Sequence, residues 1–256
     1  IKGFWQGKNQ EQEKVEAMRA GGKIMAQIFA ELREYTEPGK SGKEIDKWVA
    51  AKILDYGAGV AYYEPEVNFP GSICISVNNE LIHGIPKDDI LEDGDKVSYD
   101  LVIKYRGYYV DSAFTMILGK PTAAQKHLLS YTEASLYEGI NAVKPGAKLG
   151  DVGFAVQKEL EKGKLGIIRN YVGHGIGKKM HMEPEVPNYG KRGHGYTLQV
   201  GDTICIEPMS SLGKPDTVVV EGDDGWTVCL KDGSIGAHCE HTILVTEDGY
   251  EILTQA

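Results

Sequence analysis

The chain lacks long hydrophobic runs and is short of basic residues. No stretch of about 18 apolar residues is present, and residues 1–12 lack the charged and apolar regions of a signal peptide. We therefore expect a soluble, cytoplasmic protein without a membrane partner. Lys and Arg number 28 against 37 Asp and Glu, so the net charge of -9 argues against nucleic acid as a general partner, although a local basic face stays open. Position 1 is not Met, so we expect that the chain was trimmed or that its beginning was omitted.

Cysteine is equally scarce. The four cysteines show no Cys-x-x-Cys spacing, and we assign them no redox role. We expect them to be small buried hydrophobes in a reducing compartment. They are Cys74, Cys205, Cys229 and Cys239.

An internal repeat with an offset of 107 residues is present instead. The pattern Leu-x-x-Gly-Asp-x-Val-x-x-Asp at residues 91–100 recurs as Leu-x-x-Gly-Asp-x-Ile-x-x-Glu at residues 198–207. A Pro-Gly pair also recurs at this offset, and each pair follows a helix-like stretch, Glu13 to Tyr35 in the first half and Ala123 to Ala142 in the second. The repeat predicts two related αβ units.

The length suits one large domain or two fused halves. With 256 residues, of which 41% are hydrophobic, the chain has ample core. We predict a single catalytic domain over residues 1–256, with halves of roughly 13–120 and 121–256. An insertion around Ser211 to Ile235, dense in Gly and Asp, would explain why Glu240 lies 22 residues beyond the position that the repeat predicts from Asp111.

Two aspartates are predicted to meet in a β-hairpin. Lys96 to Ile103 and Tyr108 to Leu118 are rich in Val, Ile, Tyr and Thr, and the residues between them form a turn. A two-residue loop at Tyr105-Arg106 would place Asp100 directly opposite Asp111, with Cβ atoms about 4.5 to 5.5 Å apart. A loop one residue later would move the pair to a diagonal on the same face, and a three-residue loop would place them on opposite faces.

Five acidic or imidazole side chains lie at positions from which the two halves could both contribute ligands to one metal site. Each half supplies a predicted strand that ends on a carboxylate, and His174 lies among glycines that allow close backbone approach to a ligand. Four carboxylates and one imidazole suit a pair of divalent cations with a bridging water better than a structural zinc. We therefore predict a two-metal hydrolase with the ligands Asp100, Asp111, His174, Glu207 and Glu240.

The other histidines, each judged by itself, are expected to be ordinary loop or core residues. His83 lies in His-Gly-Ile-Pro and His181 in His-x-x-Pro. His241 follows Glu240 on a predicted strand, so its side chain should point to the opposite face from the ligand. An ordinary role is also expected for His127, His194 and His238.

Several short motifs carry a resemblance to a known family. In chain order they are CISVN at 74–78 with HGIP at 83–86, GHGIG at 173–177, IEPM at 206–209 and EHT at 240–242. Together with the five candidate ligands, they resemble the type I methionine aminopeptidases of peptidase family M24 over nearly the whole chain. The resemblance implies an α+β fold of the pita-bread type, with two pseudo-symmetric αβ halves around a curved antiparallel sheet.

The resemblance also implies a role for each ligand. Asp111 and Glu240 resemble the carboxylates that bridge both metal ions. Asp100 resembles the ligand of one ion alone, and His174 with Glu207 resemble the ligands of the other. The ions would be Co, Mn, Fe or Zn, and the residues do not decide between them.

Further residues resemble those that contact the substrate. His83 and His181 would contact the peptide bond being cleaved. The pocket for the methionine side chain, including its rim, would be lined by aromatic and sulfur-containing side chains. Such a lining suits the thioether of methionine. That lining would comprise Phe69, Cys74, Met180 and Trp226, with either Tyr62 or Tyr63 entering the pocket.

The implied function is removal of the initiator methionine from nascent proteins and peptides when the second residue is small. Two cations would activate a shared water for attack on the first peptide bond, and Glu207 is the best candidate to carry its proton. His181 would stabilise the oxyanion, and His83 would hydrogen-bond the scissile nitrogen. The expected partners are polypeptides with an N-terminal Met. A transient contact with the ribosome is also expected, and the chain is expected to be a monomer. The residues alone leave oligomeric state and ribosome contact open.

Other functions remain as alternatives. Proline-directed aminopeptidases and dipeptidases of the same fold share the five-ligand pattern, but they resemble this chain only after a sizeable N-terminal domain. The type II methionine aminopeptidases carry an insertion for which the 33 residues from His174 to Glu207 leave little room. A non-catalytic binding protein of this fold would be expected to lose ligands, and this chain keeps all five.

Overall fold

The structure, a computed structural model, describes residues 2–214 and 219–256, excluding the side chains of residues 2–8. Within these residues the chain forms four α-helices, one 3-10 helix and fifteen strands. The first half contains α1 (Lys2–Tyr35), α2 (Gly42–Asp55), β1 (Gly59–Val60), the 3-10 helix Ala61–Tyr63, β2 (Cys74–Val77), β3 (Glu80–Ile82), β4 (Lys96–Tyr105) and β5 (Tyr108–Ile117). The second half contains α3 (Ala123–Asn141), α4 (Leu149–Lys162), β6 (Gly166–Ile167), β7 (Gly173–Gly175), β8 (Met182–Val186), β9 (Thr203–Ile206), β10 (Met209–Ser211), β11 (Val219–Glu221), β12 (Val228–Leu230), β13 (Gly236–His238), β14 (His241–Thr246) and β15 (Gly249–Ile252).

Both predicted helices are present, and the first is longer than expected. α3 begins after a reciprocal cap between Thr122 and Gln125. α1 extends back to Lys2 instead of beginning near Glu13. Residues 9–13 are polar and exposed, so this part of the helix has no apolar periodicity for a sequence pattern to detect. Within residues 2–214 and 219–256, no helix has the length and apolar character needed to cross a membrane.

The 107-residue offset recurs in backbone hydrogen bonds. Gly39 N donates to Leu91 O and Gly146 N donates to Leu198 O, each over 2.8 Å. Both glycines have a positive φ, 98° and 86°, a conformation that favours glycine over other residues. The two Pro-Gly pairs are therefore matching turns that attach each helix pair to its sheet.

The helices that follow these turns also correspond. α2 and α4 each contain 14 residues and begin 107 residues apart. The buried positions Ile45, Val49 and Ile53 of α2 match Val152, Val156 and Leu160 of α4. Since burying such a side chain contributes roughly 1.5–3 kcal/mol, the same three positions hold each helix to its half. We propose on this ground that residues 13–120 and 121–256 are two copies of one unit within a single domain.

Two of the predicted loop positions kept the aspartates on one face of the hairpin, and the hairpin of β4 and β5 has the one that is shifted by one residue. Its loop is Arg106-Gly107, with both residues at positive φ, as a two-residue hairpin turn requires. Asp100 therefore pairs with Ala113, two residues beyond Asp111. Direct pairing of the two aspartates was wrong, and the diagonal arrangement on the same face is the one observed.

All strand pairs of the described residues are antiparallel, and an isolated bridge joins β5 to Glu240 of the second half. β4 pairs with β1, β2 and β5, and the second half has a sheet of order β15-β14-β9-β7-β8. Glu240 N donates to Ala113 O over 2.9 Å, and Ala113 N donates to Glu240 O over 3.3 Å. This bridge brings β5 against the beginning of β14, which is where the candidate ligands lie.

The segment predicted to be an insertion contributes strands of its own. Residues 215–218 of it lie outside the described residues. β11 pairs with β12, and β12 pairs with β3 of the first half. These strands account for the additional residues that precede Glu240.

The apolar core follows the division into halves. One large cluster is formed mainly by α1, α2, β4 and β5, and a second mainly by α3, α4, β9 and β14. Each helix pair therefore covers the sheet of its own half, and the opposite side of the sheets is available for the site.

The cysteines are free, as predicted. Cys74, Cys205 and Cys239 are buried. The expectation of burial is wrong for Cys229, which is partly exposed because it lies on β12 among the added strands.

Candidate metal centre

Three of the predicted carboxylates converge on His174. Its Nε2 lies 3.3 Å from Glu207 Oε1, 3.5 Å from Asp111 Oδ2 and 4.0 Å from Glu240 Oε1. β7 carries the histidine, β5 carries Asp111, and the two glutamates adjoin β9 and β14. None of the four residues is more than 9% exposed. Four elements that are distant in sequence therefore bring four predicted ligands to one place.

Asp100, the fifth predicted ligand, faces the same cluster from β4. The hydroxyl of Tyr62 donates to its Oδ1 over 3.3 Å. Its Oδ2 lies 3.8 Å from Nδ1 of His238. The diagonal hairpin register thus keeps Asp100 on the same face as Asp111.

The potential ligand atoms fall into two overlapping groups. One consists of Asp111, His174, Cys205 and Glu240, and the other of Asp100, His238 and Glu240, with the ligand atoms of each group within 4.8 Å of one another. Glu240 belongs to both groups. A carboxylate in this position can be shared between two cations.

The carboxylates are crowded and short of hydrogen-bond donors. Oδ1 of Asp111 and both carboxylate oxygens of Glu240 have no hydrogen-bond partner. Burial raises the pKa of Asp111 to about 7. Burial, followed by repulsion from Asp111, raises the pKa of Asp100, Glu207 and Glu240 well above the usual range. Because unpaired buried charges are costly, this oxygen-rich set fits bound divalent cations.

His174 is oriented as a metal-binding imidazole. Its Nδ1 lies 2.9 Å from the carbonyl oxygen of Gly175, so Nδ1 carries the proton and donates to that carbonyl. The lone pair of Nε2 then faces the carboxylates. Burial lowers the pKa of His174, which keeps the ring neutral and able to coordinate a cation.

Cys205 lies beside this group without the character of a ligand. The side chain is fully buried, and its Sγ is 3.6 Å from Oγ1 of Thr242. Burial, followed by the nearby charges of Glu240 and Asp111, raises the pKa of the thiol well above its usual range. A protonated thiol binds metal weakly, so Cys205 keeps the uncharged role predicted for it.

A cleft of about 720 Å³ adjoins the cluster. His83, His181, His174 and Glu207 all line it. The ring of His181 lies edge-on to that of His174, with centroids 4.3 Å apart. Loss of hydration, followed by the effect of His174, lowers the pKa of His181 to about 4, and burial followed by His181 lowers that of His83. Both rings are therefore neutral at neutral pH and can donate hydrogen bonds into the cleft.

The backbone at His83 supports a role beyond that of an ordinary loop residue. Its φ of 58° lies in the left-handed region, which is uncommon for a residue other than glycine. The ring packs edge-on against Tyr171 at 6.0 Å. Such a conformation is retained where the surroundings determine it, and it fixes the ring at the wall of the cleft.

Aromatic rings pack beside Asp100, as the pocket prediction requires. The ring centroids of Phe69 and Trp226 are 5.2 Å apart, and those of Phe69 and Tyr62 are 5.3 Å apart. Cys74 is the strand partner of Asp100. Tyr62 is 7% exposed and Tyr63 54% exposed, so Tyr62 is the tyrosine that enters this region. Met180 is buried in the same apolar cluster.

His238, expected to be an ordinary loop or core histidine, is buried beside the ligand cluster. Its ring is 1% exposed, with Nε2 3.3 Å from Glu207 Oε2 and 3.8 Å from Glu240 Oε2. Burial lowers the pKa of His238 to about 3, so the ring is neutral. The sequence did contain a signal, because residues two apart on a strand share a face and His238 precedes Glu240 by two.

The remaining histidines lie outside the cluster, as predicted. Nε2 of His127 is 2.6 Å from a backbone oxygen, and Nδ1 of His194 is 2.9 Å from another. Nδ1 of His241 is 2.7 Å from Oγ1 of Thr254. Each of these rings has a local hydrogen-bond partner that explains its position.

Comparison with known proteins decides the family. The model of metallopeptidase family M24 matches residues 16–247. The chain belongs to this family. It is 40% identical to a methionine aminopeptidase 1 of Bacillus subtilis over 238 residues, which cover 93% of this chain and 95% of the relative. It is 39% identical to a methionine aminopeptidase of Escherichia coli over 243 residues, which cover 94% and 91%.

Solved structures with the same fold include two enzymes. A methionine aminopeptidase from Thermotoga maritima superposes with a TM-score of 0.91 at 39% identity, covering 95% of this chain and 97% of that one. A prolidase from Pyrococcus furiosus superposes with a TM-score of 0.74 at 22% identity, covering 95% of this chain and 64% of that one, and shows the fold alone. The expected pita-bread fold and the resemblance to methionine aminopeptidases are confirmed. The chain is a metallopeptidase, and its donor set binds divalent metal.

Proposed function

We propose that this metallopeptidase removes the N-terminal methionine from nascent proteins and peptides whose second residue is small. The observation that carries the proposal is the convergence of Asp100, Asp111, His174, Glu207 and Glu240 beside a cleft lined by two neutral histidines. Full-length similarity of about 40% to methionine aminopeptidases supports this substrate over a prolyl one.

The five ligands are proposed to hold two divalent cations. Asp111 and Glu240 occupy the centre, and Glu240 lies in both groups of potential ligand atoms. Asp100 belongs to one of these groups, and His174, whose Nε2 lies 3.3 Å from Glu207, belongs to the other. Two divalent cations held there, chosen among Co, Mn, Fe and Zn, would supply a hydrolytic water activated at neutral pH.

Glu207 is proposed to carry the proton of the reaction. The carboxylate lines the cleft and also contacts the ligand cluster, with Oε1 3.3 Å from Nε2 of His174. A carboxylate in this position can accept a proton from the attacking water and return it to the leaving amine. Its position at the boundary between ligands and cleft supports both steps.

The two histidines of the cleft are proposed to act on the peptide bond. His181 stands against His174 and can donate to the oxygen that becomes negatively charged. His83, held at its strained φ, can donate a hydrogen bond to the scissile nitrogen as that nitrogen leaves. Neither ring belongs to the two groups of potential ligand atoms.

The methionine side chain is proposed to lie among the rings beside Asp100. Phe69 and Trp226 pack edge to face, and Cys74 adjoins Asp100 on the next strand. Aromatic rings and sulfur are favourable neighbours for a thioether. Met180 is assigned to the rim, because it is buried in the same apolar cluster.

The proposed activity also indicates the cellular location and the partners of the enzyme. We propose a cytoplasmic monomer whose partners are nascent chains with an N-terminal Met, with a transient contact to the ribosome. The net charge of -9 argues against binding nucleic acid through the surface as a whole.

Peptide cleavage combined with metal analysis tests the proposal. The purified chain, stripped and reloaded with Co, Mn, Fe or Zn, is given Met-Ala-Ser, Leu-Ala-Ser and Ala-Pro. We expect release of Met alone and a stoichiometry of two ions. Preferential hydrolysis of Ala-Pro would support the proline-directed alternative, and binding without hydrolysis of any peptide would support a non-catalytic protein.

A further inference from the structure

His238 is a buried imidazole without a hydrogen-bond partner. It ends β13, is 1% exposed, and neither Nδ1 nor Nε2 makes a hydrogen bond. Leaving one such buried polar atom unsatisfied costs about 1–3 kcal/mol. A ring with both nitrogens in this state is stabilised only if something in the working protein binds it.

The surroundings of the ring indicate what binds it. Nδ1 lies 3.8 Å from Oδ2 of Asp100, and Nε2 lies 3.3 Å from Oε2 of Glu207 and 3.8 Å from Oε2 of Glu240. Ligands at about 2.1 Å from a cation are themselves about 3.0–3.4 Å apart. The separation of Nδ1 from Oδ2 of Asp100 is only slightly longer, so a small closure places a cation between these two atoms. Glu240 belongs to the same group of potential ligand atoms.

The two ring nitrogens of His238 can make different interactions. A neutral imidazole has one N–H and one lone pair. If Nε2 carries the proton, a small adjustment of the ring lets it donate to Oε2 of Glu207, its closest neighbour at 3.3 Å. Nδ1 then directs its lone pair toward Asp100. This arrangement satisfies both nitrogens, and it is the usual one for a metal-bound histidine whose other nitrogen donates to a carboxylate.

We propose that His238 is a sixth protein ligand of the metal centre, with Nδ1 bound to the cation on the Asp100 side and Nε2–H donating to Glu207. The inference rests on the proposed two-cation site and adds a second nitrogen donor to it. Nitrogen donors favour Co, Fe and Zn relative to Mn, so the Asp100 side would hold these ions more tightly than carboxylates alone would.

Cobalt provides a probe that counts imidazoles without relying on activity. In the Co(II)-loaded chain, each coordinated histidine contributes one paramagnetically shifted, solvent-exchangeable N–H signal in the proton NMR spectrum. We expect two signals, from His174 Nδ1–H and His238 Nε2–H. His238→Gln should show one signal, and titration calorimetry should show about tenfold or greater loss of affinity for one cobalt ion.

Two variants separate this role from simpler ones. Gln keeps a donor for Glu207 but removes the imidazole nitrogen, so His238→Gln tests coordination and not hydrogen bonding. His241→Gln is the matched control, because that ring is also close to Glu240 in sequence but bonds Thr254 outside the cluster. The control should keep both signals and both affinities.

The possible outcomes are distinct. Two shifted signals in His238→Gln, with unchanged cobalt affinities, would refute coordination by His238 and leave it a donor to Glu207. Wild-type chain that binds cobalt with a single shifted signal would also refute it, and this needs no variant to fold. Failure of the wild-type chain to bind cobalt at all would overturn the two-cation site itself together with this inference.

Discussion

Replacing Asp111 with Asn should stabilise the metal-free protein while it weakens metal binding. Asp111 is 4% exposed, has one carboxylate oxygen without a hydrogen bond, and repels three other buried carboxylates. Asn keeps the shape and removes the charge. The two effects have opposite signs because the charge that destabilises the empty site is the charge that the cations need.

The size of the effect on stability follows from the pKa of Asp111. Burial raises it from the ordinary 3.8 to about 7. Between these pH values the folded chain keeps a proton that the unfolded chain has released, so stability falls as the pH rises through this window. A difference of about 3 between the two pKa values corresponds to about 4 kcal/mol above pH 7. The buried amide of Asn is incompletely hydrogen-bonded, which costs about 1–3 kcal/mol and offsets part of this gain.

The net expectation is a gain of about 1–3 kcal/mol at pH 8. This corresponds to a Tm higher by about 3–10 °C for a chain of this size, measured by calorimetry after chelation. Near pH 4 the folded wild-type carboxyl is neutral, so the gain should disappear. Asp151→Asn is a control of opposite sign, because Asp151 is partly exposed, accepts two backbone N–H bonds and has a lowered pKa.

The reasoning is refuted by a metal-free Asp111→Asn protein that is less stable than wild type at pH 8. Titration with Mn or Co should meanwhile show weaker binding of both ions and no detectable peptidase activity. Full activity with undiminished metal content in this variant would remove Asp111 from the ligand set.

Other predictions test the remaining parts of the site. Glu240→Gln should abolish activity and weaken both metal ions, which metal analysis of the purified variant would measure, and retention of both ions would contradict its bridging position. Met-Ala, Met-Gly and Met-Ser peptides should be cleaved and Met-Lys and Met-Trp should not, since a displacement of roughly 1 Å can cost about a hundredfold in rate; equal kcat/KM for Met-Ala and Met-Trp would contradict this geometry. His83→Ala should keep both metals and the fold while kcat falls by about 10² to 10⁴, and loss of metal would instead make His83 a ligand. Tyr62→Phe removes the hydroxyl that donates to Asp100, so we expect weaker binding of the cation on that side by titration, with little change in the Met-Ala preference over Leu-Ala.

Local patterns were sufficient for much of the fold. The repeat marked matching turns because Pro-Gly and Gly-Asp pairs have strong backbone preferences. The hairpin was recognisable from its residues, but its register was not, because neighbouring loops differ by one residue and the choice of Arg106-Gly107 depends on which residues accept positive φ. The first part of α1 could not be found, since its exposed residues carry no apolar period.

The site depends on contacts that no single segment specifies. Asp100 and Asp111 belong to one hairpin, whereas His174, Glu207 and Glu240 adjoin three different strands of the other sheet. The bridge between Ala113 and Glu240, together with the hydrogen bonds between Asp111 and Thr242, places these two groups together.

His238 shows the consequence of that dependence. Judged alone, a buried histidine is usually an ordinary core residue, and the sequence gives no measure of how many carboxylates surround it. Its position follows because β13 pairs with β10 and the chain then turns into Glu240. His238 comes just after the segment that breaks the 107-residue offset, and it gives the second half a nitrogen donor near Asp100 of the first. This asymmetry between the halves is what would make the two cation positions chemically different, with carboxylates shared at the centre and one imidazole on each side.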